Sequence, residues 1–232
     1  MRITIFLLIL LSVVGAFGQS RQTFELFENG VTASRSGEHE RALKEFEQTL
    51  IRATKERAGN KFLAKVHYNL GVSRFQLDLL TAAAVNFETA IDLTNGRYEK
   101  ASYSLGLTRS NLGNSTRAEQ AFLDALALNK QNGEAWFDLA FVYLDRKEYA
   151  AAEIGFANAI RFGTIDPATA HNNLGVLLAM NGDMSAAEKQ FRSSAAFGTL
   201  SEAILNLEKC QRRENLIAHT DLNFAWKRSK NI

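Results

Sequence analysis

The chain has 232 residues, with 27 Lys and Arg against 25 Asp and Glu, and 46% of it is apolar. That hydrophobic content excludes a mainly disordered chain, and the near-balance of charge argues against the basic stripe of a nucleic-acid binder. One proline and 10% aromatics suit a helical protein, although 15 glycines then need a reason.

At the N-terminus, Arg2 precedes an apolar run from Ile3 to Val14, and Ala16-Phe17-Gly18 follows. A basic start, an apolar stretch and small residues where a signal peptidase inspects the chain form a secretory signal. Residues 1–18 are read as that signal, cut after Gly18. The run is shorter than the roughly 20 residues that span a bilayer, so a retained anchor is the alternative reading. The expectation is export, to the periplasm or medium of a bacterium or the secretory lumen or exterior of a eukaryotic cell, with no membrane span after cleavage. No cysteine lies near the cut, which argues against a lipid-attached form. Cys210 is the single cysteine, so no intramolecular disulfide forms and packing must hold the fold. Lying in an apolar helical pattern, Cys210 reads as a small buried residue rather than a reactive thiol.

Beyond the signal, one pattern recurs five times. Small residues stand at Gly30, Gly71, Gly106, Ala140 and Gly175, spaced by 41, 35, 34 and 35 residues. Twelve positions on are Ala42, Ala83, Ala118, Ala152 and Ala187, and four further are Phe46, Phe87, Phe122, Phe156 and Phe191. Three beyond those come Thr49, Ala90, Ala125, Ala159 and Ser194. Each unit carries two stretches of helical period, parted by short polar breaks such as Leu112-Gly113-Asn114 and Asn181-Gly182-Asp183. Asn114 and Asp183 are suited to cap the second helix of their units. Helices joined this tightly lie antiparallel, and the small residues mark where they cross. A glycine inside a helix costs about 1 kcal/mol against alanine, which close packing offsets. A single helix pair cannot bury its apolar face, so the units must stack.

The pattern resembles the tetratricopeptide repeat, a 34-residue helix–turn–helix unit. Trp136, Leu139, Ala140, Tyr143, Ala152 and Phe156 make the fullest match. The tyrosine column departs from it, reading Ala33, Arg74, Arg109, Tyr143 and Leu178, and the repeat-closing proline is missing. The lone Pro167 follows Asp166, an N-cap with proline at the first helical position. The resemblance implies an all-α fold, a right-handed solenoid of about five units over 19–213, near 23–56, 64–96, 99–130, 133–163 and 168–198. Residues 201–213 echo 133–145 and read as a capping helix. The tail, 214–232, carries Phe224 and Trp226 and is either disordered or folded back as a short amphipathic segment.

Signals for catalysis are weak. His39, His67, His171 and His219 show no metal-ligand spacing and no neighbouring nucleophile. His67 and His171 share the column of Trp136, which suits a packing role. No phosphate loop, nucleophile elbow or dinucleotide fingerprint appears. The expectation is no catalytic residues, no metal and no cofactor. Asn114-Ser115-Thr116 matches a glycosylation acceptor, but the asparagine already serves as a cap.

Members of this family bind peptides or helices in a groove lined by the first helix of each unit. Carried onto this chain, the groove takes Phe27, Tyr68, Phe75, Tyr103, Phe137 and Phe141 as apolar contacts. Asn69, Ser104, Asp138, Asn172, Asn173 and Asn206 form a polar line beside them, with Lys100 as its cation. Aromatic rings give contact area at low entropy cost, and an asparagine can pair with a bound backbone through one acceptor and two donors. Some relatives grip a terminal carboxylate there. Asn69 and Lys100 fall at two such places, but Phe27, Val31 and Ser104 occupy the others, so that clamp is rejected. The expected role is an exported, non-catalytic adaptor for a protein or peptide partner in assembly of a cell-envelope or secretory complex. A scaffold that self-associates through its tail, giving a homo-oligomer, is the alternative, and an enzyme a third.

Overall fold

A computed structural model describes residues 20–198, 201–211 and 224. The expected signal over 1–18, residues 212–213 of the expected cap and all of the tail except Phe224 lie outside the described residues. Those residues hold eleven α-helices and no strand, the all-α solenoid class that the repeat implies. The chain divides into two compact units, one ending at Gly113 and the other beginning at Asn114.

The first unit runs α1 Arg21–Arg35, α2 His39–Lys55, α3 Asn60–Gln76, α4 Leu80–Asp92 and α5 Glu99–Asn111. Each helix packs against its successor, so α1 with α2 and α3 with α4 are hairpins, and α5 follows α4. The second unit runs α6 Ser115–Leu128, α7 Gly133–Asp145, α8 Tyr149–Phe162, α9 Pro167–Met180, α10 Met184–Ala195 and α11 Ser201–Gln211. Here α7 with α8 and α9 with α10 are hairpins, and α11 covers α10 and touches α9.

Local chemistry sets the helix ends. Asn114 and Asp183 accept from the amides of Arg117 and Ala186. Asp166 accepts from Thr169 N ahead of the N1 proline, so orphan amides at three starts are satisfied. The turns of the four hairpins each use one left-handed residue at the same column, Gly37, Asp78, Lys147 and Gly182, and Gly113 after α5 shares that geometry, all with φ between 59° and 88°. After four of them the next amide closes back over the helix end, Glu38 N to Ala33 O, Leu79 N to Arg74 O, Glu148 N to Tyr143 O and Asp183 N to Leu178 O. These are Schellman closures, which use up the last helical carbonyls and reverse the chain in three residues.

Packing explains the glycines. A Cβ built on Gly30 would lie 2.7 Å from the Phe46 ring, on Gly71 2.6 Å from Phe87, and on Gly175 2.7 Å from Phe191. In these three repeats the phenylalanine ring therefore lies against its own glycine and fills the hairpin crossing. In the fourth repeat the small residue is Ala140, and space is returned by Gly155 on α8, whose Cβ would meet Ala140 Cβ at 2.7 Å. All residues of the alanine, phenylalanine and third columns are sealed. Each buried phenylalanine contributes roughly 2–3 kcal/mol. Ser194, in the third column, donates Oγ–H to Ala168 O at 2.6 Å and so satisfies its buried hydroxyl.

Candidate functional site

The expected groove residues all sit on first helices, but the structure treats them differently. On α3 and α5, which touch, Tyr68, Asn69 and Tyr103 are half-buried and Lys100 is exposed. Asn69 donates Nδ2–H to Lys65 O at 2.8 Å, which holds its amide against its own helix. The Tyr68 ring packs tilted against Tyr98 at 5.2 Å and against Phe87 at 5.8 Å. Burial raises the Tyr68 phenol and pushes Tyr98 up to about 12, with each other's proximity adding to the latter. Tyr98 went unmarked in the sequence because it precedes α5 and shares no column with the other rings.

The remaining apolar positions are corrected. Phe27 is sealed among Phe46, at 5.7 Å, and Phe62, at 5.4 Å. Phe75 and Ser104 are buried as well. In the second unit Phe137, 2% exposed, forms an edge-to-face triad with Phe141 at 5.0 Å and Phe156 at 5.9 Å. Phe141 meets Phe156 at 5.3 Å with the planes at 89°. Such geometry sets positive ring edges on negative faces, so Phe137 and Phe141 are core, not open floor. Asp138 is half-buried. Asn172, Asn173 and Asn206 are all 0% exposed. Asn206 donates to Asn172 Oδ1 at 2.9 Å and Asn172 to Asn173 Oδ1 at 3.2 Å, a buried chain of amides.

Against this geometry, residues 103–167 match the family described as tetratricopeptide repeat. That stretch is similar to tetratricopeptide repeats. Solved structures of similar fold include MamA, 20% identical over 83% of this chain and 95% of that one, with a TM-score of 0.62. Residues 41 to the end of MamA from Desulfovibrio magneticus RS-1 are 17% identical over 84% and 99%, TM-score 0.65. YrrB, described as a TPR protein with an unusual peptide-binding site, is 21% identical over 79% and 90%, TM-score 0.62. Comparison with the curated proteins gives no match.

Where the tetratricopeptide pattern lapses, polar pairs stand in. Arg74, in the tyrosine column, reaches Glu47 of the preceding hairpin at 3.0 Å, and Arg109 pairs likewise with Glu88. Being partly exposed, such pairs are worth about 0–1 kcal/mol. In the tryptophan column, His67 Nδ1 meets Asn86 Oδ1 at 3.2 Å and His171 Nδ1 meets Gln190 Oε1 at 2.7 Å. Asn86 gives its own Nδ2–H to Ala82 O, so its oxygen faces the ring and His67 Nδ1 carries the proton. Both histidines are thus tied between the two helices of a hairpin. Cys210 is buried beside Val176, Ala179 and Phe191, and burial raises its thiol.

Among the described residues no group of three His, Cys, Asp or Glu could hold a metal, and no helix is long and apolar enough to cross a membrane. A cavity of about 360 Å³ opens between α8 and α9, lined by Tyr149, Ala150, Glu153, Leu177, Met180 and Asn181. Sequence spacing gave no sign of it, because its lining comes from a turn and two different hairpins.

The contact between Tyr68 and Tyr98 predicts a pH effect. A phenol whose folded pKa exceeds the ordinary value of about 10 binds its proton more tightly when folded. The stabilisation is full below pH 10 and is lost as pH rises through about 12, the folded value of Tyr98. The urea midpoint should therefore fall between those pH values, and fall less steeply in Tyr98→Phe. Equal slopes would place Tyr98 in water.

Proposed function

We propose that the protein is an exported, non-catalytic adaptor that holds a peptide segment of a partner protein on the first-helix face of its repeats. The carrying observation is the accessible aromatic and amide surface of the first unit: Tyr68, Asn69 and Tyr103 half-buried on touching helices, with Lys100 exposed beside them. A ring that is half covered is already ordered, so a partner gains apolar contact without the entropy of fixing a free side chain. Asp138 offers a matching polar position in the second unit. The repeat class supports a protein or peptide ligand, as does the peptide-binding site ascribed to YrrB. Export rests on the N-terminal pattern of residues 1–18, and assembly of a cell-envelope or secretory complex is the setting it suits.

The test selects binders from a displayed library of extended peptides with the chain starting at Gln19. Selected peptides should lose at least tenfold in affinity for Tyr68→Ala/Tyr103→Ala while the urea melt of that variant stays cooperative. Selection of nothing, or equal binding to the double variant, would remove the reading. N-terminal sequencing of the protein made by its own host checks export: a start at Gln19 is expected, and an intact Met1 would refute cleavage.

A further inference from the structure

Tyr149 and Glu153 stand one turn apart on α8, and Leu177 and Met180 one turn apart on α9, so each helix turns one face to the same cavity of about 360 Å³. Leu177, 2% exposed, and half-buried Met180 make its floor. Tyr149, Ala150 and Asn181 are exposed and make its rim. Glu153, half-buried, is the one charged residue in the lining. The acids that flank the lining in sequence are engaged, Glu148 with Arg146 and Asp183 with the amide of Ala186. Glu153 enters no ion pair among the described residues. One turn beyond Ala150, on the same side of α8, Ile154 is 60% exposed. None of these positions belongs to the columns expected to line the first-helix groove.

Each feature narrows the ligand. An unpaired carboxylate over an apolar floor suits a cation carried on a hydrocarbon stem. A flat guanidinium fits the Tyr149 ring while its fork of N–H groups meets the Glu153 carboxylate, whereas an ammonium stays strongly hydrated. The volume stands near the lower limit of the roughly 300–1,000 Å³ of small-molecule sites, which suits a single side chain. Exposed Ile154 beside it suits a surface that brings that side chain in.

We propose that this cavity is a binding site for an arginine side chain of a partner protein. The methylene stem rests on Leu177 and Met180, the guanidinium pairs with Glu153 and lies on Tyr149, and an apolar neighbour in the partner covers Ile154. The site does not depend on Tyr68 and Tyr103, so Tyr68→Ala/Tyr103→Ala chain keeps it, and the two binding proposals fail separately.

The experiment follows amide shifts of isotope-labelled full-length chain during titration with the N-acetyl methylamides of arginine, citrulline and lysine. Arginine should give saturable shifts at residues 149–154 and 177–181, with a Kd on the order of millimolar. Citrulline has the shape without the charge, and should bind about tenfold more weakly, as should arginine to Glu153→Gln chain. Ala150→Trp, at the exposed rim, should abolish the shifts and leave the urea melt in place. The peptide acetyl-Leu-Arg-Leu-amide should bind about fivefold more tightly than blocked arginine, and should lose that gain on Ile154→Ser. Absence of saturable shifts, equal binding of arginine and citrulline, or indifference to Glu153→Gln would overturn the proposal. A preference for lysine would remove the guanidinium. Equal binding of the peptide and blocked arginine would remove the partner protein, because the ligand would then be a free guanidinium compound.

Discussion

Phe137→Ala is expected to lower the unfolding free energy by about 3–5 kcal/mol, the cost of truncating a fully packed phenylalanine. The ring contacts Phe141 and Phe156 edge to face and belongs to a cluster that includes Ala140, Ala152 and Leu174. Removing it leaves a void bounded by two helices that are pinned by the Gly155–Ala140 contact, so the walls cannot collapse far. Tyr103→Ala, at a half-buried position, should cost only about 1 kcal/mol. Urea melts of the two variants decide the matter. Were Phe137→Ala to melt like wild type while losing a bound peptide, the ring would return to the ligand surface from which its burial removes it.

The second large effect is expected at Gly175→Val. Its Cβ would enter within 2.7 Å of a Phe191 ring that is sealed among Val176, Ala179 and Ala187. Something must shift, and the ring has no open side. Overpacking of this kind costs typically 1–3 kcal/mol. The better helix propensity of valine returns only a few tenths, so the clash wins and a net loss of about 2 kcal/mol should appear in the melt. Adding Phe191→Leu should recover part of it, because the shorter side chain withdraws from the crossing. Strict additivity of the two losses would show that the residues do not touch.

Much of the fold was legible because a helix repeats its faces every 3.6 residues, so columns of glycine, alanine and phenylalanine in register could only be crossing points. The caps at Asn114, Asp166 and Asp183 were legible too, since side-chain chemistry and position coincide there. The binding face was harder. Periodicity says on which side of a helix Phe137 or Asn172 lies; it does not say whether another part of the chain covers that side, and both are sealed. Arg74 and Arg109 looked like defects in the tyrosine column, because their partners Glu47 and Glu88 lie on the preceding hairpin, on a column that the pattern leaves free. Asp78 and Lys147 gave no hint of left-handed backbone, a geometry that Gly37, Gly113 and Gly182 announce by composition.

The pairing across each hairpin limits how such a chain can be recombined. Trp136 faces a second helix that has Gly155 where its neighbours carry Asn86 and Gln190, and those amides answer His67 and His171. Graft α10 onto α7 and a glutamine side chain is driven into the place that only a hydrogen atom fills. The repeats look like interchangeable cassettes, yet each first helix is keyed to its own second helix. Shuffling by whole hairpins preserves the keys, and shuffling by single helices breaks them.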